Sequence, residues 1–264
     1  MSMTADKERR ALAAAATASD EAFLAALQEL SDDKRGLCGA ARLFFWEHKG
    51  ETFAADTRTE WAARLGEAVF TDGLDEDKST VLRRLSSSDD PRVRALMHKV
   101  VAGEVGTEIN PAKAHDQEPG LRCGAALALA TLGDETVKAQ IVPMLSKAAS
   151  EPDRAALEVS LALLGDPSYI RKEHFALRSY SIGLAAVMAI ERFNGTEGMD
   201  ALVEGGIEHP WAGVSAEAVA ALQRITKQDF QSKALGTFPR DNARAWWRAH
   251  RDEWLRKHPA SRQP

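Results

Sequence analysis

Residues 118–149 read EPGLRCGAALALATLGDETVKAQIVPMLSKAA, and this stretch decides the fold. Its apolar side chains recur at helical spacing in two short segments, which are separated by the turn Leu132-Gly133-Asp134. Gly133 suits the left-handed conformation that ends a helix, and Asp134 suits the cap of the next helix. Two helices this short cannot bury their own apolar faces. The stretch therefore predicts an all-α fold in which antiparallel helix pairs stack as an α-solenoid.

The same arrangement recurs before and after this stretch. Glycines follow the helical segments at intervals of about 30 residues, a spacing typical of helical repeats, at Gly73, Gly103, Gly133, Gly165 and Gly195. Motifs with a proline in the first helical turn open the inner helices, at 90–94 (DPRVR), 118–122 (EPGLR) and 151–155 (EPDRA). These two signals, in phase, indicate repeated two-helix units.

Three motifs of the chain resemble those of HEAT-repeat proteins, in particular the bacterial subclass called phycobilisome-lyase-like HEAT repeats. They are DPRVR at 90–94, LGD at 132–134 and LGDP at 164–167, and the similarity covers residues 75–226. The resemblance implies an α-solenoid whose inner helices line a concave face. It implies a binding architecture but not one particular role, because proteins of this family have many unrelated functions.

We expect a single HEAT-like domain over residues 1–264, with irregular repeats at 1–74, regular repeats at 75–226 and a cap at 227–264. The sequence of residues 1–18 predicts either a frayed leading helix or an arm that binds a partner. A solenoid has an open apolar end, and the tryptophan-rich helix at the C-terminus suits a cap over it. This ending resembles the closing segments of some bacterial HEAT proteins, except that Lys227 stands where those have glycine.

Composition narrows the classes of function and location. The net charge of −5 disfavours a nucleic-acid binder, which usually carries a basic balance. Cys38 and Cys123 lie in small-residue helical segments typical of buried thiols, which fits a reducing cytoplasm. No apolar run approaches the ~20 residues of a membrane span, and the N-terminus lacks a signal-peptide layout. We expect a cytoplasmic protein without a membrane segment.

The sequence contains no recognisable catalytic or metal-binding motif. None of the seven histidines stands at zinc-ligand spacing from another histidine or a cysteine. There is no nucleophile turn of the Gly-x-Ser-x-Gly type and no phosphate-binding loop. The acidic turn at 71–77 lacks the alternating ligands of a calcium loop. We therefore expect no enzymatic activity, no metal and no cofactor.

Two sets of residues are candidates for binding. The first comprises arginines that open the inner helices: Arg92, Arg94, Arg122 and Arg154. On a concave face they would meet carboxylates or phosphates; the alternative is that each pairs with an acid of the adjacent turn. The second lies in the C-terminal helix: Arg244, Trp247, Arg248 and Arg251. Basic and aromatic residues hold nucleic acid by charge and stacking; the alternative is that the tryptophan serves the cap.

The sequence favours a non-enzymatic scaffold or adaptor that binds another protein through the concave face. The alternative is a nucleic-acid-binding or DNA-repair protein of the HEAT-like DNA glycosylase type, although no local motif of those enzymes is matched. A lyase or lyase chaperone is suggested only by the name of the repeat subclass, and no catalytic base accompanies the cysteines.

Overall fold

The computed structural model describes residues 19–30, 34–47, 53–106, 117–193, 196–231 and 238–258, and every regular element in these ranges is helical. The predicted all-α class is therefore confirmed. Two predicted features lie outside the described residues: the leading segment 1–18 and the turn at Gly195. No described helix is both long enough and apolar enough to cross a bilayer.

The described ranges contain thirteen α-helices. They are α1 (Asp20–Glu29), α2 (Lys34–Phe45), α3 (Ala55–Asp72), α4 (Asp75–Leu85), α5 (Pro91–Ala102), α6 (Leu121–Thr131), α7 (Lys138–Leu145), α8 (Glu151–Leu163), α9 (Glu173–Ala176), α10 (Tyr180–Phe193), α11 (Thr196–Ala201), α12 (Ala212–Thr226) and α13 (Pro239–Lys257). Short 3-10 turns at Glu135–Val137 and Pro167–Tyr169 precede α7 and α9, and a π-helical turn at Leu202–Gly206 continues α11.

Helix α1 is capped by Ser19, whose hydroxyl accepts a hydrogen bond of 3.1 Å from the amide of Ala22. Asp20 adds a negative charge to the first turn, where the helix dipole favours one. Helix α3 begins at Ala55, two residues after the buried Phe53.

Glycines end several helices as predicted. Gly103, Gly133 and Gly165 have φ angles of +78°, +74° and +105°, which residues with a Cβ rarely adopt. Gly73 also follows a helix, although its φ of −76° is ordinary extended backbone. Lys227, which replaces the glycine expected after α12, takes the same left-handed conformation with φ of +58°. The helix ends are therefore located where the glycine pattern indicated.

The chain divides into two compact units. The first contains residues 1–114 and 120–132, and the second contains residues 115–119 and 133–264. In the first unit α3 packs against α2, α4 and α5, while α6 packs against α4 and α5. Helix α3 thus contacts the next helix and the next but one, and α4 contacts the next but one, which is the packing expected of successive helix pairs.

The second unit repeats this pattern. Helix α8 packs against α7 and α10, and α10 packs against α12, so alternate helices share one apolar core. The fully buried side chains of this core include Leu157, Leu163, Phe175 and Ile182. Helix α13 packs against α12 and buries Trp247 and Trp254.

The start of α10 is capped by a residue far away in the chain. The Glu118 carboxylate accepts hydrogen bonds from the Tyr180 amide at 2.9 Å and the Ser179 hydroxyl at 2.9 Å, and it also bonds the Ser181 hydroxyl. Ser179 in turn accepts a hydrogen bond of 3.1 Å from the Ile182 amide. The first amides of α10, which have no partner within the helix, are satisfied in this way.

Candidate functional site

The predicted binding arginine Arg92 is paired within the first unit. Its guanidinium donates to both carboxylate oxygens of Asp90, at 3.0 and 2.9 Å, and to Asp56 at 2.8 Å. The hydrogen bond to Asp90 raises the pKa of Arg92, and the bond from Arg92 lowers the pKa of Asp90. Asp90 also caps α5 by accepting from the Arg92 amide at 2.9 Å. Arg92 thus fits the alternative interpretation, in which the arginine pairs with an acid of the adjacent turn.

Arg94 and Arg122 are engaged at helix ends. Arg94 donates to the Asp89 carboxylate at 2.7 Å and to the Leu132 carbonyl, just after α6, at 3.4 Å. Arg122 donates at 3.0 Å to the carbonyl of Val101 in the last turn of α5. Carbonyls in the last turn of a helix lack partners within it, and a cation is favourable there. Both arginines therefore stabilise helix ends in the first unit.

Arg154 differs from the other three arginines. It lies on α8 in the second unit and is exposed, and its side chain forms no hydrogen bond or ion pair with any described residue. Two carboxylates stand on the same helix face, at Glu151 three residues earlier and Glu158 four residues later. Neither pairs with Arg154, so no part of the chain that the structure describes holds its guanidinium.

A half-open pocket of about 440 Å³ adjoins Arg154 in the second unit. We call it the α8 pocket; its titratable lining residues are Glu151, Arg154, Glu158, Arg171, Glu173 and His174. The first three belong to α8, and the others belong to the segment that contains α9. The pocket therefore forms where the start of one helix faces a short connecting segment.

The interior of the α8 pocket is a hydrogen-bonded cluster. Glu158 is only 8% exposed, and its Oε2 accepts from the Arg171 guanidinium and from His174 Nε2, the latter at 2.9 Å. His174 Nδ1 accepts from the Arg171 amide at 3.4 Å, so its proton resides on Nε2. Burial lowers the pKa of His174, and the ring is neutral at pH 7. Arg171 alone therefore balances the charge of Glu158.

Local sequence explains why this cluster is held in place. Ser150 caps α8 by accepting from the Asp153 amide at 3.2 Å, which fixes where the helix starts. On the facing segment, Leu177 is buried, and its carbonyl accepts from His209 Nε2 at 3.0 Å. His209 is itself 5% exposed, and burial lowers its pKa. The cluster thus sits between a capped helix start and an anchored segment.

In the C-terminal set, Trp247 and Arg251 face their own unit. Trp247 is 3% exposed and donates its Nε1–H to Asp200 at 3.0 Å. Arg251 donates to both oxygens of Asp200, at 2.8 and 2.6 Å. The hydrogen bond from Arg251 lowers the pKa of Asp200. This arrangement joins α13 to α11 and leaves the Trp247 ring without an open face for a base.

The other two C-terminal candidates differ from each other. Arg244 forms an ion pair with Glu208, which follows the π-helical turn. Arg248 is exposed and pairs with no residue in the described parts of the chain. Arg248 is therefore a useful control for Arg154, because both are exposed helical arginines but Arg248 is not among the residues lining the α8 pocket.

The described ranges contain no group of three or more His, Cys, Asp or Glu side chains that could hold a metal ion. Cys38 and Cys123 are free thiols, and both are half-buried rather than buried as predicted. Cys38 donates to the Ala68 carbonyl at 3.4 Å.

Sequence reasoning missed three members of the α8 pocket: Glu158, Arg171 and His174. A signal was present at Glu158, which is the one charged residue in the apolar run at 155–164. Charged side chains rarely lie in a helix core without a partner. The partners could not be identified, because they follow on a segment without helical periodicity.

No protein-family model matches the chain, and no curated protein or solved structure matches it either.

Proposed function

We propose that the chain is a non-enzymatic scaffold or adaptor that binds another protein on a HEAT-like α-solenoid in the cytoplasm. The repeated motifs and the packing of alternate helices within each unit support the solenoid. The buried tryptophans of α13 support its role as the cap. Free thiols support a reducing compartment.

The single observation that carries the binding role is Arg154 beside the α8 pocket, whose side chain pairs with none of the described residues. Its counterparts Arg92, Arg94 and Arg122 are held by acids or carbonyls of the chain. A guanidinium offers several donors in a fixed plane and is frequent at contacts between proteins. An exposed guanidinium that no described residue holds, next to a pocket, suits a side chain or terminus of a partner protein.

The nucleic-acid alternative receives less support. It relied on basic and aromatic residues of α13, yet Trp247 is buried and Arg251 is neutralised by Asp200. Stacking on a base requires an open aromatic face. Among the four C-terminal candidates, only Arg248 is exposed and has a guanidinium that binds no described residue.

The scaffold proposal is tested by affinity capture from the native cell at physiological salt, with the full chain as bait. We expect a partner protein that the wild type and Arg248→Ala retain and that Arg154→Ala loses. Failure of the wild type to retain any protein contradicts the proposal, and so does equal retention by Arg154→Ala. A parallel assay measures duplex DNA binding at about 50 mM salt, where binding that weakens steeply with added salt would favour the alternative.

A further inference from the structure

We infer that the α8 pocket receives one carboxylate group of the bound partner, held between Arg154 and Arg171. The carboxylate comes from an aspartate or glutamate side chain or from the partner's C-terminus. This inference rests on the proposed function, because it names the chemistry by which a protein partner is recognised at this site.

The donors of the pocket suit one carboxylate. Arg154 and Arg171 each bring a guanidinium, and Glu158 engages only one terminal nitrogen of Arg171. Glu151, Glu158 and Glu173 place three carboxylates in the lining beside these two guanidiniums. The pocket therefore favours a carboxylate through directed hydrogen bonds from the two arginines and not through its net charge.

Arg171 is already oriented for this contact. One terminal nitrogen binds the buried Glu158 carboxylate, while Nε and the other terminal nitrogen bond to no described residue. Its side chain is 53% exposed, so these donors reach solvent. A guanidinium that is fixed before binding loses less conformational freedom when a carboxylate engages it.

Arg154 supplies the second guanidinium from the facing helix. It lies one turn before Glu158 on the same face of α8, so the two line one side of the pocket. It also lies in the first turns of α8, where the helix dipole adds a partial positive charge that favours an anion. The two arginines therefore approach the pocket from α8 and from the segment before α9.

The outer carboxylates select against more highly charged anions. Glu151 and Glu173 are exposed, line the pocket and pair with no described residue. They repel a phosphate dianion more strongly than a carboxylate monoanion. Their presence also favours donors, such as peptide N–H groups, next to the bound carboxylate.

The test uses the full chain labelled with ¹⁵N and follows the side-chain Nε–H signals of its arginines by NMR. One probe is the acetylated and amidated tripeptide Ala-Glu-Ala, which carries a side-chain carboxylate. The second is acetylated tri-alanine with a free C-terminus. Neutral, amidated tri-alanine and inorganic phosphate complete the set. Concentrations extend to about 10 mM, which covers a site with millimolar affinity.

We expect a carboxylate probe to shift the Arg154 and Arg171 signals in a saturable way, while the Arg248 signal stays unchanged. The better of the two carboxylate probes identifies the source of the group. Arg154→Gln should weaken its binding at least about tenfold, as expected when a charged hydrogen-bond pair is lost, and Arg248→Gln should not. Neutral tri-alanine should cause no shift.

Three results would overturn the inference: no saturable shift, an equal shift at Arg248, or tighter binding of phosphate than of either peptide. Partner capture that depends on Arg154, without any response to carboxylate probes, would overturn this inference and leave the scaffold proposal standing. Carboxylate binding without any captured protein would contradict the scaffold proposal instead.

Discussion

Replacement of Glu118 by alanine should destabilise the second unit by removing the cap of α10. The substitution removes the acceptor of the Tyr180 amide and of the Ser179 hydroxyl, which lie 61 or more residues away in the chain. Ser179 is 0% exposed, so its hydroxyl loses a charged acceptor that water cannot readily replace and keeps the longer contact of 3.3 Å with the Ser181 hydroxyl. Of the side-chain caps on the amides of α10, the bond from the Ile182 amide to Ser179 would remain.

The expected loss is about 2–4 kcal/mol in the free energy of unfolding. Loss of a helix cap alone costs about 1 kcal/mol, and a buried donor left without its charged acceptor costs about 1–3 kcal/mol more. Glu118→Gln keeps an acceptor for the Tyr180 amide, so its loss should stay below about 1.5 kcal/mol. The ranking of the two variants tests the capping role independently of the absolute values.

The assay is urea unfolding followed by far-ultraviolet circular dichroism, with amide hydrogen exchange at Tyr180 as a local measurement. Exchange there should accelerate at least about tenfold in Glu118→Ala, since 1.4 kcal/mol corresponds to a factor of ten. Glu204→Ala is the matched control, because Glu204 is exposed in the same unit and bonds no described side chain. A loss in Glu118→Ala no larger than in this control, about 0.5 kcal/mol or less, would refute the reasoning.

Three further predictions concern backbone strain and protonation. Lys227→Gly should raise the free energy of unfolding, measured in urea, by about 0.5–1 kcal/mol. Glycine adopts the left-handed conformation at φ +58° without the strain that a Cβ causes there. A loss of stability would contradict this prediction. Gly106→Ala should lower the free energy of unfolding by about 2–3 kcal/mol, and Gly133→Ala should lower it by about 1 kcal/mol. Both glycines have positive φ, but only at Gly106 would the new Cβ approach a leucine methyl, at 2.6 Å. Equal losses in the two variants would contradict this prediction. Burial lowers the pKa values of His174 and His209 below the ordinary 6.5, so the unfolded chain binds more protons below that pH. Stability should be full above about pH 6.5 and fall towards pH 5. His174→Gln should reduce this slope, and an unchanged slope would argue against a neutral buried ring.

The helices could be predicted because their signals are local. Apolar spacing, the prolines of the opening motifs and the glycines at helix ends each act within one or two turns. The caps at Asp90 and Asp134 follow the same logic, since each carboxylate accepts from an amide two residues later. Lys227 shows the strength of these signals, because the helix ends there even without a glycine.

The candidate site could be predicted only in part. Arg154 was selected together with three other arginines, and periodicity alone could not separate it from them. What distinguishes Arg154 from the other arginines is that they have partners distant in sequence, such as the Val101 carbonyl for Arg122 and Asp56 for Arg92. The cluster around Glu158 depends on a segment with only a four-residue helix, which leaves no periodic pattern to interpret.

The central claim is that a partner protein binds at the α8 pocket, and site-specific photo-crosslinking in the native cell tests it most directly. A photoreactive amino acid is placed at Ala149, an exposed residue in the pocket lining, or at Ala249, an exposed alanine of α13. Both positions keep the arginines intact. We expect a covalent adduct with one protein from Ala149, lost on adding Arg154→Gln, and no such adduct from Ala249. The absence of any adduct from Ala149, or the same adducts from both positions, would contradict the account.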